Sequence, residues 1–274
     1  MTDPKPHPTS RSPSPAAKPQ AHTLRSAKTS EAGILAMGWM HTAKFLTTAP
    51  QLQFLPPLDV PEIAFVGRSN AGKSTCINTL TQQHRLAFAS KTPGRTQSIN
   101  LFTLGKQGVT DAVLADLPGY GYAAVPKQDK IRWQRVMANY LITRENLKAV
   151  VLMCDPRHGL TELDDILLEV IRPRVEAGLK FLLVLTKADK LNKTEAAKAL
   201  SIARLQAGGG EVKLFSALKK QGVTEVAELL WQWTHTATAA GSVAQQQVTA
   251  ADTETETDGD TDLDPSTNSE TSGS

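Results

Sequence analysis

The sequence predicts an α/β protein in which a mostly parallel β-sheet lies between two layers of helices. Between about residues 49 and 236, short apolar runs alternate with amphipathic stretches, and several of the runs are continuous rather than alternating. One run passes straight into a glycine-rich turn followed by a helix-like segment. Continuous runs suit strands buried on both faces, as in a parallel sheet covered by helices. Their regular alternation with helical patterns points to a three-layer, doubly wound arrangement.

The elements follow in order. EIAFVG (62–67) is the first buried strand, and TCINTL (75–80) the helix after its glycine-rich turn. SINLFTL (98–104) and DAVLADL (111–117) are the next strands, then a helix over 129–142 whose apolar residues fall on one face. AVVLMCD (149–155) is apolar almost throughout and ends in an acid. The segment DPRHGLTELDD (155–165) reads as a loop that caps the next helix, 162–176, rather than as an acid/base pair. KFLLVLT (180–186), a helix over 193–206, EVKLFSA (211–217) and a helix over 223–233 complete the series.

The ends differ from this core. Residues 1–45 are rich in Pro, Ser, Thr, Lys and Ala with hardly an aliphatic cluster before Ile34, so they are expected to be a disordered basic extension that buries too little apolar surface to offset ordering entropy. Residues 237–274 are expected to be a disordered tail, whose last part from Ala251 holds eight carboxylates and no Lys or Arg. The whole chain carries +3, so removing those eight negative charges leaves +11 on residues 1–250. Such a balance suits a polyanionic partner such as nucleic acid. Cys76 and Cys154 both fall in apolar segments and are expected to be reduced, buried and inert, as in a cytoplasmic protein. The six histidines show no ligand spacing, and no apolar run reaches the length of a membrane span.

The chemistry concentrates in two motifs. GRSNAGKS (67–74) fits G-x-x-x-x-G-K-S, with Gly67, Gly72, Lys73 and Ser74 at the defining positions. Its glycines let the backbone wrap a phosphate, whose charge then faces the amides and positive end of the following helix. Lys73 is placed to reach the β- and γ-phosphates and the Ser74 hydroxyl to ligate Mg2+. A phosphate loop alone leaves kinase, ATPase and GTPase open. TKAD (186–189), at the end of a strand, selects among them: the Asp189 carboxylate can accept from both guanine N1–H and the guanine 2-amino group, and adenine has neither donor. The Lys187 stem can lie along the base. After the last strand, FSALK supplies Phe215, Ser216 and Ala217, where a backbone amide of Ser216 or Ala217 can meet guanine O6.

GRSNAGKS, KTPGRTQ, DLPGYGYA, TKAD and SALK stand in this order along the chain. With them, residues 46–236 strongly resemble the EngB family (also called YihA or YsxC), bacterial GTPases of the TRAFAC class. The resemblance implies a P-loop NTPase G domain. It also implies a part in normal cell division and septation and in assembly of the large ribosomal subunit; the protein is expected to be a cytoplasmic, monomeric and slow GTPase. Carried over by position, Gly67, Arg68, Ser69, Asn70, Ala71, Gly72, Lys73 and Ser74 bind phosphates. Gly94, Arg95, Thr96, Gln97 and Ser98 form the first switch, with Thr96 joining Ser74 on Mg2+. Asp116 holds the ion's water shell, Leu117 and Pro118 follow it, and the Gly119 amide meets the γ-phosphate. Thr186, Lys187, Ala188 and Asp189 read the base. Thr186 departs from the commoner Asn, which bears on affinity rather than on base identity.

Lys73, Thr96 and Asn70 form the expected catalytic set, but Tyr120 stands where Ras-like enzymes keep a water-positioning glutamine. A phenol cannot copy the donor-and-acceptor pair of an amide. Either other groups orient the water, or a partner completes the site. Asn70 leaves room for a K+ ion beside the β–γ bridge, and Arg95 is a candidate for an arginine finger in cis or for a partner contact. Two rivals remain at this level: a GTP sensor whose binding rather than turnover controls a partner, and an ATP-using kinase.

Overall fold

The structure is a computed structural model that describes residues 30–87, 98–121 and 127–236. Its seven strands are β1 (Lys44–Ala49), β2 (Glu62–Gly67), β3 (Ile99–Leu104), β4 (Ala112–Asp116), β5 (Leu147–Cys154), β6 (Lys180–Leu185) and β7 (Glu211–Leu214). Its α-helices are α1 (Glu31–Met40), α2 (Lys73–Thr81), α3 (Lys127–Thr143), α4 (Glu162–Glu176), α5 (Lys193–Gln206) and α6 (Val223–His235). The sheet order is β1-β3-β4-β2-β5-β6-β7; β1, β3 and β4 pair antiparallel, and β4-β2-β5-β6-β7 run parallel.

Strand pleating sorts the core into two layers. Ile63, Phe65, Val151, Met153, Leu182 and Val184 face α1, α2 and α6, where they meet Trp39, Ile77, Leu80 and Leu230. Their neighbours Ala64, Val66, Val150, Leu152, Leu183 and Leu185 face the opposite layer, with Tyr140 of α3, Leu167 and Ile171 of α4, and Ala203 of α5. The continuous apolar runs of the sequence are therefore strands covered on both sides, as expected.

Two sequence expectations are corrected. The extension taken as disordered to residue 45 is folded from Ser30 onward, and residues 1–29 and 237–274 lie outside the described residues. Ser30 caps α1 by accepting from Gly33 N at 2.9 Å, and α1 packs on α6 with Trp39 fully buried. Trp39 Nε1 donates to Asp111 Oδ1 at 2.7 Å, so the polar end of the indole is satisfied as well. Apolar residues lie on both faces of EAGILAMGWM, with Ile34 and Leu35 exposed, so no periodic apolar face marks this packing in the sequence. The second correction is β1, a seventh strand that pairs with β3 at the sheet edge. Four of its six residues are exposed, so it lacks the apolar signature of the others.

At the opposite end of the sheet from the motif loops, Glu62 opens β2 with no exposed surface. Tyr140 Oη donates to its Oε2 at 2.6 Å, and Arg144 holds it with a guanidinium fork while donating to Pro56 O at 2.9 Å. Arg174 of α4 closes the end of α3, donating to Leu141 O at 2.7 Å and Arg144 O at 2.9 Å. This network pins α3 and α4 to the base of β2.

Candidate functional site

In an open parallel sheet, ligands bind beyond the carboxyl ends of the strands, at the point where connections leave in opposite directions. Here that point is β2, which pairs with β4 on one side and β5 on the other. GRSNAGKS follows β2, Asp116 ends β4, Asp155 follows β5, TKAD follows β6 and FSA follows β7, so one rim gathers all five.

The phosphate loop is tightly specified. Gly67 has φ 154°, and a Cβ there would stand 2.7 Å from Met153 O. Asn70 takes a left-handed conformation at φ 66°, and Gly72, at φ 99°, leads into α2. Ala71 N bonds Arg68 O at 3.0 Å, closing the turn. The start of the second switch is stitched to this loop: Ser69 N donates to Tyr120 O at 2.8 Å and Tyr120 N to Gly67 O at 3.3 Å. Gly119 lies so close to it that a Cβ would come within 3.2 Å of Ser69 Cα and N. Leu117 and Pro118 are buried beneath.

Lys73 is buried and ion-paired to Asp116, which has no exposed surface. Asp116 Oδ2 is buried without a hydrogen-bond partner. An orphaned carboxylate oxygen costs free energy unless something accepts its charge. Its position at the end of β4, with the half-buried Ser74 at the start of α2, fits a hydrated Mg2+. The other expected metal residue, Thr96, lies outside the described residues together with Gly94, Arg95 and Gln97; Ser98, just before β3, is described.

The base loops are joined to the phosphate loop and to each other. Thr186 Oγ1 donates to Ala71 O at 2.6 Å, so a buried threonine ties β6 to the phosphate loop. Lys187, left-handed at φ 53°, donates to Asn70 O and to Asp155 Oδ2, each at 3.0 Å. Ala188 N bonds Phe215 O at 3.0 Å. Ser216 Oγ donates to Asp189 Oδ1 at 2.6 Å, which, with Lys190 nearby, holds the Asp189 carboxyl below its ordinary range. Ser216 N already bonds Gln221 O at 3.0 Å. Of the two amides considered for guanine O6, Ala217 is therefore the one left to meet it.

Two carboxylates in DPRHGLTELDD do different work, neither as an acid/base pair. Asp164 Oδ2 accepts from Thr161 N at 2.8 Å and from Thr161 Oγ1 at 2.7 Å, capping α4 as expected. Its Oδ1 accepts from the buried Tyr120 hydroxyl. Burial first, and then the Asp164 carboxylate, push the Tyr120 phenol well above its usual pKa. Asp155 instead points to the base loop, a role that sequence reasoning missed. Its only signal was an acid at the carboxyl end of a strand. Cys154 and Cys76 are buried free thiols; burial pushes Cys154 up to about 12 and Cys76 higher still, so neither is a nucleophile.

Comparison with known proteins agrees with this geometry. Residues 62–187 match the family described as 50S ribosome-binding GTPase. The chain is 83% identical over 201 residues to a probable GTP-binding protein EngB of Albidiferax ferrireducens, covering 73% of this chain and 97% of that protein. It is 78% identical over 222 residues to the EngB of Polaromonas sp., covering 81% and 89%. Among solved structures, a probable GTP-binding protein engB overlays with TM-score 0.51 at 19% identity, covering 64% of this chain and all of that one, a likeness of fold. Phosphate loop, base loop and relatives converge, and the chain belongs to the EngB family of GTP-binding P-loop GTPases.

Proposed function

We propose that the protein is a slow, cytoplasmic GTPase, acting as a monomer, whose turnover is completed by the large ribosomal subunit during that subunit's assembly, and that its need in cell division and septation follows from this role. The observation that carries the proposal is Tyr120. Its hydroxyl is committed to Asp164 in a buried pair, so the side chain at the glutamine position is not available to place a water. Phosphoryl transfer needs a placed nucleophile and stabilised charge, and with neither supplied by Tyr120 the remainder falls to main-chain groups or to a partner. The description of the matching family and the excess of positive charge support a ribosomal partner.

In this reading the phosphate loop, Lys73 and the start of α2 bind the phosphates, while Asp189 and the Ala217 amide select guanine. Ser74, Thr96 and Asp116 are the residues that would hold Mg2+, which would supply charge neutralisation at the phosphates. Lys73 exchanges Asp116 for phosphate oxygens when nucleotide arrives, which frees the Asp116 carboxylate. Asn70, exposed at the loop's crest, offers its side-chain oxygen to a K+ ion. Ser74→Ala is expected to lower Mg2+-dependent affinity for GTP more than for GDP, because the ion would have more phosphate charge to neutralise in GTP. Equal losses in a nucleotide titration would remove Ser74 from the metal site.

Turnover tests the proposal as a whole. Phosphate release should be slow for the protein alone, faster in potassium than in sodium salts at equal ionic strength, and faster again with large ribosomal subunits. Asn70→Ala should erase the potassium effect alone. Fast turnover in sodium without subunits would overturn the account, and a subunit that leaves the rate unchanged would favour a GTP sensor.

A further inference from the structure

Two consecutive carbonyls of the phosphate loop are held by two consecutive residues of the base loop. Ala71 O accepts from Thr186 Oγ1, and Asn70 O accepts from Lys187 Nζ. Because a peptide unit is planar and trans, fixing the Ala71 carbonyl turns the Gly72 amide away from the base loop. The first of these holding groups is a short, buried hydroxyl. The second is a lysine with four rotatable bonds and a side chain 38% exposed, so something must keep it in place.

That group is Asp155, one residue beyond β5. Its side chain is 8% exposed. Oδ1 accepts from Arg157 N at 3.2 Å and Arg157 Nε at 2.9 Å, while Oδ2 accepts from Arg157 Nη2 at 2.7 Å and Lys187 Nζ at 3.0 Å. The Arg157 fork fixes the carboxylate edge-on and leaves Oδ2 turned to the lysine. A 180 Å³ cavity lined by Arg68, Asn70, Asp155, Arg157 and Lys187 adjoins this junction. The Arg157 hydrogen bonds hold the Asp155 carboxyl well below the usual range, with the Lys187 ammonium adding to the effect, so the link stays charged at any working pH.

We propose that Asp155 is a positioning residue for nucleotide binding, which clamps the Lys187 ammonium against the Asn70 carbonyl and so keeps the phosphate and base loops in register before nucleotide arrives. Ordering a lysine costs rotamer entropy. Meeting that cost in the free protein leaves less to be lost on binding. The clamp touches neither the Asp189 carboxylate nor the expected Mg2+ residues, so it acts on affinity and not on base choice. This inference rests on the assignment of TKAD to the base.

The test is a double-mutant cycle on the full chain with a fluorescent GDP analogue, using Asp155→Ala, Lys187→Ala and both together. Asp155→Ala should weaken GDP and GTP alike by roughly tenfold, the size of one charge-assisted hydrogen bond. Guanine preference over xanthine should be unchanged. With Lys187 already Ala, the second substitution should cost little more, whereas two independent effects would multiply. Multiplying losses, or unchanged affinity in Asp155→Ala, would overturn the clamp. Unchanged affinity in Lys187→Ala would instead count against the base-loop assignment beneath it. Should Asp155→Ala not fold, Asp155→Asn removes the charge with little change in shape and is read in the same way.

Discussion

Asp189→Asn is expected to lower affinity for GDP and GTP by about a hundredfold and to raise affinity for xanthine nucleotides. The Asp189 carboxylate spends Oδ1 on the Ser216 hydroxyl and keeps acceptor capacity for the two guanine donors. Hydrogen bonds to a charged partner are worth about 1.5–3 kcal/mol each, and each 1.4 kcal/mol is a factor of ten. The amide of Asn turns one acceptor into a donor, which opposes the guanine 2-amino group but suits the 2-oxo group of xanthine. Because Ser216 holds the Asp189 carboxyl below its ordinary range, the acceptor stays ionised throughout neutral and mildly acidic conditions. Guanine affinity should therefore not fall between about pH 8 and pH 5 on account of this group. Titration with labelled guanine and xanthine nucleotides reads both effects. A variant that binds GDP as well as the parent would show that Asp189 does not read the base.

Glu62→Ala is the substitution with the largest expected effect on stability, a loss of about 3–5 kcal/mol, the cost of breaking one partner out of a buried ion pair. It strips the half-buried Arg144 guanidinium and the fully buried Tyr140 hydroxyl of their shared acceptor. Tyr140 is fully buried, and burial together with the Glu62 carboxylate raises its pKa well above the usual phenol value, so it cannot adapt by ionising. A urea titration of the nucleotide-free protein measures the loss. Stability within 1 kcal/mol of the parent would show that the network is dispensable. The effect should be on folding and not on nucleotide selectivity, because Glu62 opens β2 while the phosphate loop lies beyond the strand's other end.

These two residues mark the limits of what the sequence carries. Asp189 could be proposed from sequence because its pattern is local: four adjacent residues stand together at a strand end, where the fold also places them. The same holds for the phosphate loop, where glycine conformation and lysine position are set within eight residues. Strands buried on both faces were legible because a run such as AVVLMC has no polar face to give water. Glu62 reads as an ordinary charged residue at a strand start, and only the fold brings Tyr140 and Arg144 to it across about 80 positions. Asp155 is similar, since Lys187 lies 32 positions away and Asn70 a further 85 from it in the other direction. The helix α1 was missed for a different reason: it buries Gly33, Ala36, Trp39 and Met40 but leaves the apolar Ile34 and Leu35 exposed, so no single apolar face stands out in its pattern. Tyr120 was legible as a departure from a glutamine, but its buried bond to Asp164 was not.

Co-sedimentation with large ribosomal subunits under GTP, GDP and no nucleotide, repeated across a salt series, tests the central claim most directly. A ligand state changes binding only through unequal affinity of the two forms for the partner, and the start of the second switch is bonded directly to the phosphate loop through Ser69 and Tyr120. The account predicts that GTP favours the complex and GDP releases it. On top of that difference, binding should weaken steeply with salt, with a slope near −0.9 per duplex phosphate neutralised. Removing residues 251–274, with their eight carboxylates, should tighten binding at low salt. Sedimentation that is indifferent to nucleotide and to salt would contradict the claim that GTP controls this protein's hold on the ribosome.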